Sequence, residues 1–190
     1  MSEQTDLKTK LLKSSKKLFW KHGIKRVTVE EICENANVSK MSFYRHFKNK
    51  DAIAEALIDQ VFNKSMKRYN AIMQSDDNFR IKVDKIVKLK YEDVQGISEE
   101  FIKDIYKKDD SLLSKKMDSL SQQSLKKVKQ DFLLAQQKGK IRSDLNIDFM
   151  MYMLNDLNTK LFDKELIKYY KTEEALIMEL TNFFFYGIFS

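Results

Sequence analysis

The sequence predicts an all-α fold of about nine helices, and three observations lead to it. The chain of 190 residues has no proline and only four glycines, whereas a β-rich fold of this size needs many tight turns built from those residues. Apolar residues recur at helical spacing along almost the whole chain. A charged fraction of 33% and a hydrophobic fraction of 43% are typical of a globular chain that buries a core.

The first helix is predicted from about Leu7 to His22, where Gly23 provides a C-cap. Thr28 then begins a capping box, in which its hydroxyl caps the next helix and Glu31 reaches back to the Thr28 amide. The apolar residues that follow share one face of a short second helix: Val29, Ile32, Cys33 and Ala36.

A tight turn leads into a third helix. Asn37 tolerates the left-handed conformation that such a turn needs, and Ser39 can cap a helix that runs to about Phe47. Two helices within 20 residues have the size of a helix-turn-helix, whose second helix enters the DNA major groove. Phe43 and Phe47 are expected to face the core. The outward side is expected to carry Lys40, Met41, Ser42, Arg45 and His46, and Tyr44 has a hydroxyl suited to a phosphate.

Six further helices are predicted after this motif. Asn49 caps a long fourth helix, which runs to about Ser75 and connects the N-terminal third to the rest. The following helices start near Phe79, Ser98, Leu113 and Asp148, and Thr172 caps the last one. That last helix is apolar on more than one side, which predicts burial against a partner subunit as well as its own core.

The positive charge is concentrated at the N-terminal end. The net charge is +7, and residues 1–68 carry 15 Lys and Arg against 8 Asp and Glu, whereas residues 69–190 carry 20 of each. A basic module on a neutral remainder indicates contact with a polyanion. Nucleic acid is favoured over an anionic membrane, because the basic residues do not line one face of a long apolar helix.

The sequence shows little sign of a signal peptide, a membrane span, a disulfide or a metal site. The first ten residues lack the apolar stretch of a signal peptide, and the longest apolar run, 183–189, falls far short of the ~20 residues of a membrane span. Cys33 has no second cysteine to pair with, and His22, Cys33 and His46 lack metal-ligand spacing. We therefore expect a cytoplasmic protein with no membrane partner, no metal and no other cofactor.

One stretch of the chain carries a recognisable pattern. It consists of Leu18-Phe19, Gly23, Val27-Thr28-Val29, Ile32, Ala36-Asn37-Val38-Ser39, Phe43-Tyr44-Arg45-His46-Phe47 and Lys50. In this register, residues from about Leu18 to Leu57 resemble the N-terminal domain of the TetR (tetracycline repressor) family of bacterial transcriptional regulators. Two positions depart from the family: Asn37 stands where Gly is usual, and Met41 stands where Gly or Ala is common. The longer Met41 side chain is expected to alter base contacts.

The resemblance implies a homodimeric repressor that binds a near-palindromic, double-stranded DNA operator and is released by a small molecule. It implies a DNA-binding domain over 1–48, a connecting helix over 49–75, and an effector-binding and dimerisation domain over 76–190. By resemblance, Thr28, Ser39, Tyr44 and Lys50 would hold phosphates, whereas Lys40, Met41, Ser42 and Arg45 would face bases. His46 could do either.

Two further sites are expected in the C-terminal part. Aromatic residues there permit an apolar cavity for an apolar or amphipathic effector, and Arg residues that would attract a phosphorylated metabolite occur only at 80 and 142. The expected pocket residues are Tyr91, Phe101, Tyr106, Met117, Ser124, Phe132 and Tyr152. The expected dimer interface comprises Met150, Leu154, Leu157, Leu161, Leu180, Phe184 and Gly187.

Two other functions compete with a ligand-released repressor. The same fold could act as a ligand-independent regulator or co-activator that a partner protein controls. An enzyme is disfavoured, because the sequence contains no Gly-rich phosphate loop and no plausible set of nucleophile, base and acid. The identity of the effector, the operator sequence and the sign of regulation stay open at this point.

Overall fold

The computed structural model describes residues 3–106, 111–160 and 163–186. All regular secondary structure in this part of the chain is helical, which confirms the predicted fold class. The ten helices are α1 (Glu3–His22), α2 (Val29–Ala36), α3 (Lys40–His46), α4 (Lys50–Gln74), α5 (Phe79–Val94), α6 (Glu99–Tyr106), α7 (Leu112–Gln137), α8 (Ile147–Lys160), α9 (Lys164–Ile167) and α10 (Glu173–Tyr186). Within the same ranges, no helix combines the length and the apolar character that a membrane crossing requires.

Side chains cap the helices where the sequence predicts. The Asn49 side-chain oxygen accepts from the Ala52 amide at 2.9 Å, and the Thr172 hydroxyl accepts from the Ala175 amide at 3.2 Å. The ten helices of the described residues agree with the expected number of about nine, and the helix that sequence patterns did not indicate is α9. This helix is a single turn, capped by the Asp163 carboxylate, and is too short to show an apolar period.

The described helices pack into two compact units. The first unit comprises the residues up to Asn63 together with Gly96–Ser119, and the second comprises Lys64–Gln95 together with the residues from Leu120 onward. The helices α4 and α7 contribute residues to both units. The packing therefore places α6 with the N-terminal helices, although the sequence suggested an effector domain over 76–190. That functional division remains a prediction.

The first unit is built around α1. Phe19, Ile32 and Phe43 are fully buried where α1, α2 and α3 meet, and the buried Ser14 hydroxyl donates to the Ile32 carbonyl at 2.9 Å. Helix α6 covers the C-terminal end of α1, where the Trp20 and Phe101 ring centroids are 4.3 Å apart. This contact gives the helix-turn-helix a support from a distant part of the sequence.

Gly23 occupies a position that no other residue could fill without strain. It has φ of +77°, and a β-carbon built there would lie 2.8 Å from the Asp104 Oδ2 atom of α6. The same carboxylate oxygen accepts from the Lys25 amide at 2.9 Å. Asp104 thus fixes the chain between α1 and α2, just before the helix-turn-helix begins.

The second unit has its own apolar core, to which α5, α7, α8 and α10 all contribute. The Phe132 ring lies at its centre, edge-to-face with Phe79 at a centroid distance of 5.2 Å and 6.3 Å from Phe185. The buried Tyr69 side chain of α4 belongs to the same unit. Burial and the nearby Asp131 carboxylate raise the pKa of the Tyr69 hydroxyl well above its usual value.

Candidate nucleic-acid interface

The capping box at the start of α2 forms as the sequence predicts. The Thr28 hydroxyl accepts from the Glu31 amide at 3.2 Å, and the Glu31 carboxylate accepts from the Thr28 amide at 2.8 Å. These hydrogen bonds hold the pKa of Glu31 below its usual value. Thr28 itself stays exposed, so its side chain can also meet a ligand at the helix start.

The turn between α2 and α3 has the predicted left-handed residue. Asn37 has φ of 52° and ψ of 50°, and its amide and that of Val38 donate to carbonyls at the end of α2. Ser39 then caps α3 by accepting from the Ser42 amide at 3.1 Å. The two helices are therefore joined by a turn whose backbone groups are satisfied locally.

Two buried rings fix the rotation of α3 about its axis. Phe43 and Phe47 are buried with ring centroids 5.9 Å apart, and Phe47 follows directly after the helix. Ser42 and His46 are half-buried beside them. Lys40, Met41, Tyr44 and Arg45 are exposed, with 67% of Met41 and 55% of Tyr44 accessible to solvent. The predicted outward residues thus lie on one short helix that the core holds in place.

Lys40 has an acidic partner that sequence analysis missed. Its Nζ forms an ion pair with the Glu30 carboxylate of α2, and both side chains are about half exposed. The pair raises the pKa of Lys40 and lowers that of Glu30. Sequence spacing alone does not bring these two residues together, because the contact depends on the angle between α2 and α3.

Arg45 lies along the helix against Met41. Its Nη2 atom is 3.4 Å from the Met41 sulfur, to which it donates a weak hydrogen bond. The guanidinium keeps its other donors for further partners. The two residues are one helical turn apart and together form an exposed ridge on α3.

Lys50 performs a structural task in addition to the phosphate contact suggested by resemblance. Its Nζ donates to the Lys25 and Val27 carbonyls at 2.8 Å each, and the residue is half-buried. An ammonium group has three donors, so one remains for a phosphate. Loss of Lys50 would therefore affect the loop before Thr28 as well as any bound DNA.

The residues predicted for an effector pocket are divided between the two units. In the first unit, Phe101 is buried against Trp20, and Tyr106 and Met117 are half-buried. In the second unit, Phe132 is buried, Ser124 is half-buried, and Tyr91 and Tyr152 are exposed. None of the seven lines the depression of about 390 Å³ that the second unit contains. Their role as pocket residues stays a prediction.

That depression lies where the end of α4, the start of α5 and the end of α7 come together. Met73, Phe79 and Ala135 contribute apolar surface to it. Charged residues of both signs share the lining, among them Asp76, Asp131, Lys82, Lys138 and Lys140. Its volume lies within the range that small-molecule sites occupy.

The predicted dimer residues show varied exposure. Met150 is buried in the core of the second unit, whereas Leu154, Leu157, Leu180 and Phe184 are half-buried. Leu161 and Gly187 lie outside the described residues. Neighbouring apolar residues on the same two helices are more exposed. They are Phe149, Tyr152 and Met153 on α8, and Phe183 and Tyr186 on α10.

A family model described as bacterial regulatory proteins of the tetR family matches residues 11–57, which include α2, α3 and their turn. Residues 11–57 form a TetR-family domain. The match ends within α4, so the whole of the second unit lies outside it.

The first curated relatives are named as HTH-type transcriptional regulators. The HTH-type transcriptional regulator YvkB of Bacillus subtilis is 41% identical over 51 residues, which are 27% of this chain and 27% of YvkB. The first curated relatives are thus matched over about a quarter of their length.

Solved structures extend the comparison to the whole fold. The regulatory protein TetR from Rhodobacter sphaeroides superposes with a TM-score of 0.72 at 16% identity, covering 95% of each chain. The regulator FadR from Bacillus subtilis, solved in complex with stearoyl-CoA, superposes with a TM-score of 0.70 at 15% identity, covering 95% of this chain and 98% of FadR. The chain therefore has the TetR fold beyond its TetR-family domain.

Proposed function

We propose that this chain is a sequence-specific, DNA-binding transcriptional regulator that acts as a homodimeric repressor and leaves its operator when a small apolar or amphipathic molecule binds. The observation that carries the DNA-binding part is the exposure of Lys40, Met41, Tyr44 and Arg45 on a helix anchored by Phe43 and Phe47. A helix of this kind fits the major groove, which is about 12 Å wide.

The charge distribution supports the same partner. All of the net charge of +7 lies in the first 68 residues, which include the TetR-family domain. Lysines on α1 and around α3 would neutralise phosphates and release counterions, so binding should weaken as salt rises. Arg45 presents the planar group that reads guanine in the major groove.

Exposed apolar residues of the second unit support a two-fold dimer. On α8, Phe149, Tyr152 and Met153 follow the i, i+3, i+4 spacing of one helical face, and Tyr152 is 69% exposed. On α10, Phe183 is 80% exposed. Apolar side chains grouped on exposed helix faces are typical of interfaces, and a dimer would present two copies of α3 to a near-palindrome.

The effector part of the proposal is supported by the depression in the second unit. Its lining combines apolar residues with charged residues of both signs, which suits an amphipathic molecule. FadR from Bacillus subtilis has the same fold and was solved with stearoyl-CoA, an amphipathic ligand. A ligand would release DNA only if it bound the DNA-free state more tightly, with a coupling of typically 1–3 kcal/mol.

Selection of bound fragments from a random DNA pool tests the proposed function. The full-length chain should enrich one near-palindromic sequence, and Arg45→Ala should reduce discrimination between this operator and random DNA by about 1–3 kcal/mol. Lys48→Ala, an exposed charge just after α3, should weaken both DNAs alike. Recovery of no preferred sequence would contradict the proposal.

Repeating the selection with acyl-CoA and fatty-acid ligands tests the effector part. An effector should lower the operator affinity of wild type. It should do so less in Ala135→Leu, because the larger side chain fills part of the depression. If no compound alters DNA binding, ligand release is rejected and a ligand-independent regulator is the better description.

A further inference from the structure

The exposed surface of α3 has a ridge that consists of only two side chains. Successive residues of a helix are about 100° apart, so Arg45 points directly away from the midpoint between buried Phe43 and Phe47, and Met41 lies within about 40° of the same direction. Lys40 and Tyr44 lie on one flank of this ridge, and half-buried Ser42 and His46 lie on the other. When a helix inserts into a groove, its ridge reaches the base edges and its flanks face the walls.

The two ridge residues are of different chemical kinds. Arg45 is a cation with several hydrogen-bond donors, whereas Met41 ends in an apolar methyl group and a thioether that is only a weak acceptor. Met41 is nevertheless 67% exposed. A hydrogen-bonding contact between Met41 and a base edge would therefore contribute little.

The flanking lysine is held away from the ridge. Lys40 forms its ion pair with Glu30 of α2, so its ammonium lies toward α2 and does not shield Met41. On the other side of the methionine, the Arg45 guanidinium approaches the sulfur at 3.4 Å. That contact restrains Met41, which otherwise has three freely rotating side-chain bonds.

The major-groove edges of the four base pairs offer one apolar group, the 5-methyl of thymine. We infer that Met41 contacts the 5-methyl group of a thymine in each operator half-site, so that this residue selects thymine by apolar contact while Arg45 reads a neighbouring base by hydrogen bonds. This inference rests on the proposed function, since it requires α3 to enter the major groove.

Replacement of thymine by uracil tests the contact directly, because uracil lacks only the methyl group and pairs in the same way. The operator enriched by the full-length chain is synthesised with uracil at each thymine in turn, and affinities are measured at fixed salt. For wild type, one thymine per half-site should show a loss of about fourfold on substitution, the magnitude expected for one buried methyl group.

Variants at position 41 assign the effect. Met41→Ala should bind the thymine and uracil operators equally, and Met41→Leu, which keeps an apolar side chain, should retain a preference for thymine. Both variants should keep the wild-type helical circular dichroism, because the Met41 side chain is exposed.

Two results would overturn the inference while leaving the proposed function in place. One is an enriched operator in which uracil at every thymine leaves wild-type affinity unchanged. The other is a uracil effect that persists in full in Met41→Ala, which would assign the methyl contact to another residue. Enrichment of no sequence at all would overturn the proposed function and this inference together.

Discussion

At the scale of single residues, Gly23 is a position of the first unit where a side chain would be strained. Gly23→Ala should lower the free energy of unfolding by about 2–4 kcal/mol, because it combines a positive φ with a β-carbon 3.0 Å from the Glu100 β-carbon and 2.8 Å from Asp104 Oδ2, both on α6. Gly96→Ala is the matched control, since Gly96 has φ of +73° and a β-carbon built there would meet no atom of the described residues within 4 Å. It should cost only about 1–2 kcal/mol. Equal losses in urea denaturation would show that the close approach of α6 to Gly23 is unimportant.

Two adjacent serines of α1 provide a second test at this scale. Ser14→Ala should destabilise the protein by about 1 kcal/mol, because it removes the buried hydrogen bond to the Ile32 carbonyl. Ser15 is fully buried as well, but its hydroxyl has no hydrogen-bond partner among the described residues. Ser15→Ala should therefore be neutral or stabilising, since it removes a buried polar group without a partner. Thermal unfolding measures both variants, and a lower melting temperature for Ser15→Ala than for Ser14→Ala would contradict this prediction.

At the scale of helices, the ion pair between Glu30 of α2 and Lys40 of α3 restrains a lysine that DNA phosphates would also bind. Glu30→Gln should strengthen binding to operator and random DNA alike by roughly twofold, the small effect expected when an exposed pair is released. Glu34→Gln is the control, because it removes a charge from the exposed side of the same helix without freeing Lys40. A larger gain for Glu34→Gln than for Glu30→Gln would contradict the restraint.

The local features of the helices were predictable from sequence, and the distant ones were not. The capping and turn residues make their hydrogen bonds within a few residues of their own position, so their roles could be derived from spacing alone. These residues are Thr28, Asn37, Ser39 and Asn49. The pairing of Glu30 with Lys40 depends on the angle between helices. The packing of α6 on α1 joins segments some 80 residues apart, and no local pattern encodes it. On α3, the exposed Lys40, Met41 and Arg45 and the two buried phenylalanines were therefore predictable, whereas the half-burial of Ser42 and His46 and the Glu30–Lys40 ion pair were not.

At the scale of the whole molecule, exposed apolar residues should govern assembly. Wild type should be a dimer by light scattering at micromolar concentration, and Phe183→Glu should shift it toward monomer, because a buried unpaired carboxylate is costly at an interface. Leu112→Glu, at an equally exposed position of the first unit, should leave the dimer intact. A monomeric wild type would contradict the proposed interface.

Alkaline stability should depend on the buried tyrosine of the second unit. The folded state raises the pKa of Tyr69, so folding favours the protonated hydroxyl. The resulting stability is present below the unfolded pKa of about 10 and is lost as the pH rises above it. Tyr69→Phe should lose less stability than wild type between pH 9 and 11, whereas Tyr169→Phe, at an exposed position, should behave as wild type. Identical pH profiles for wild type and Tyr69→Phe would refute the burial effect.

The covering of Trp20 by α6 has a consequence for a chain that is still being synthesised. Lys25 and Asp104 are 79 residues apart, so α1, α2 and α3 leave the ribosome well before the helix that completes their unit. Synthesis at about 5–20 residues per second makes this interval several seconds. A chain that ends before Gly96 would keep the Trp20 face uncovered and would be open to proteolysis. Truncated products should therefore be degraded before they compete with the finished protein.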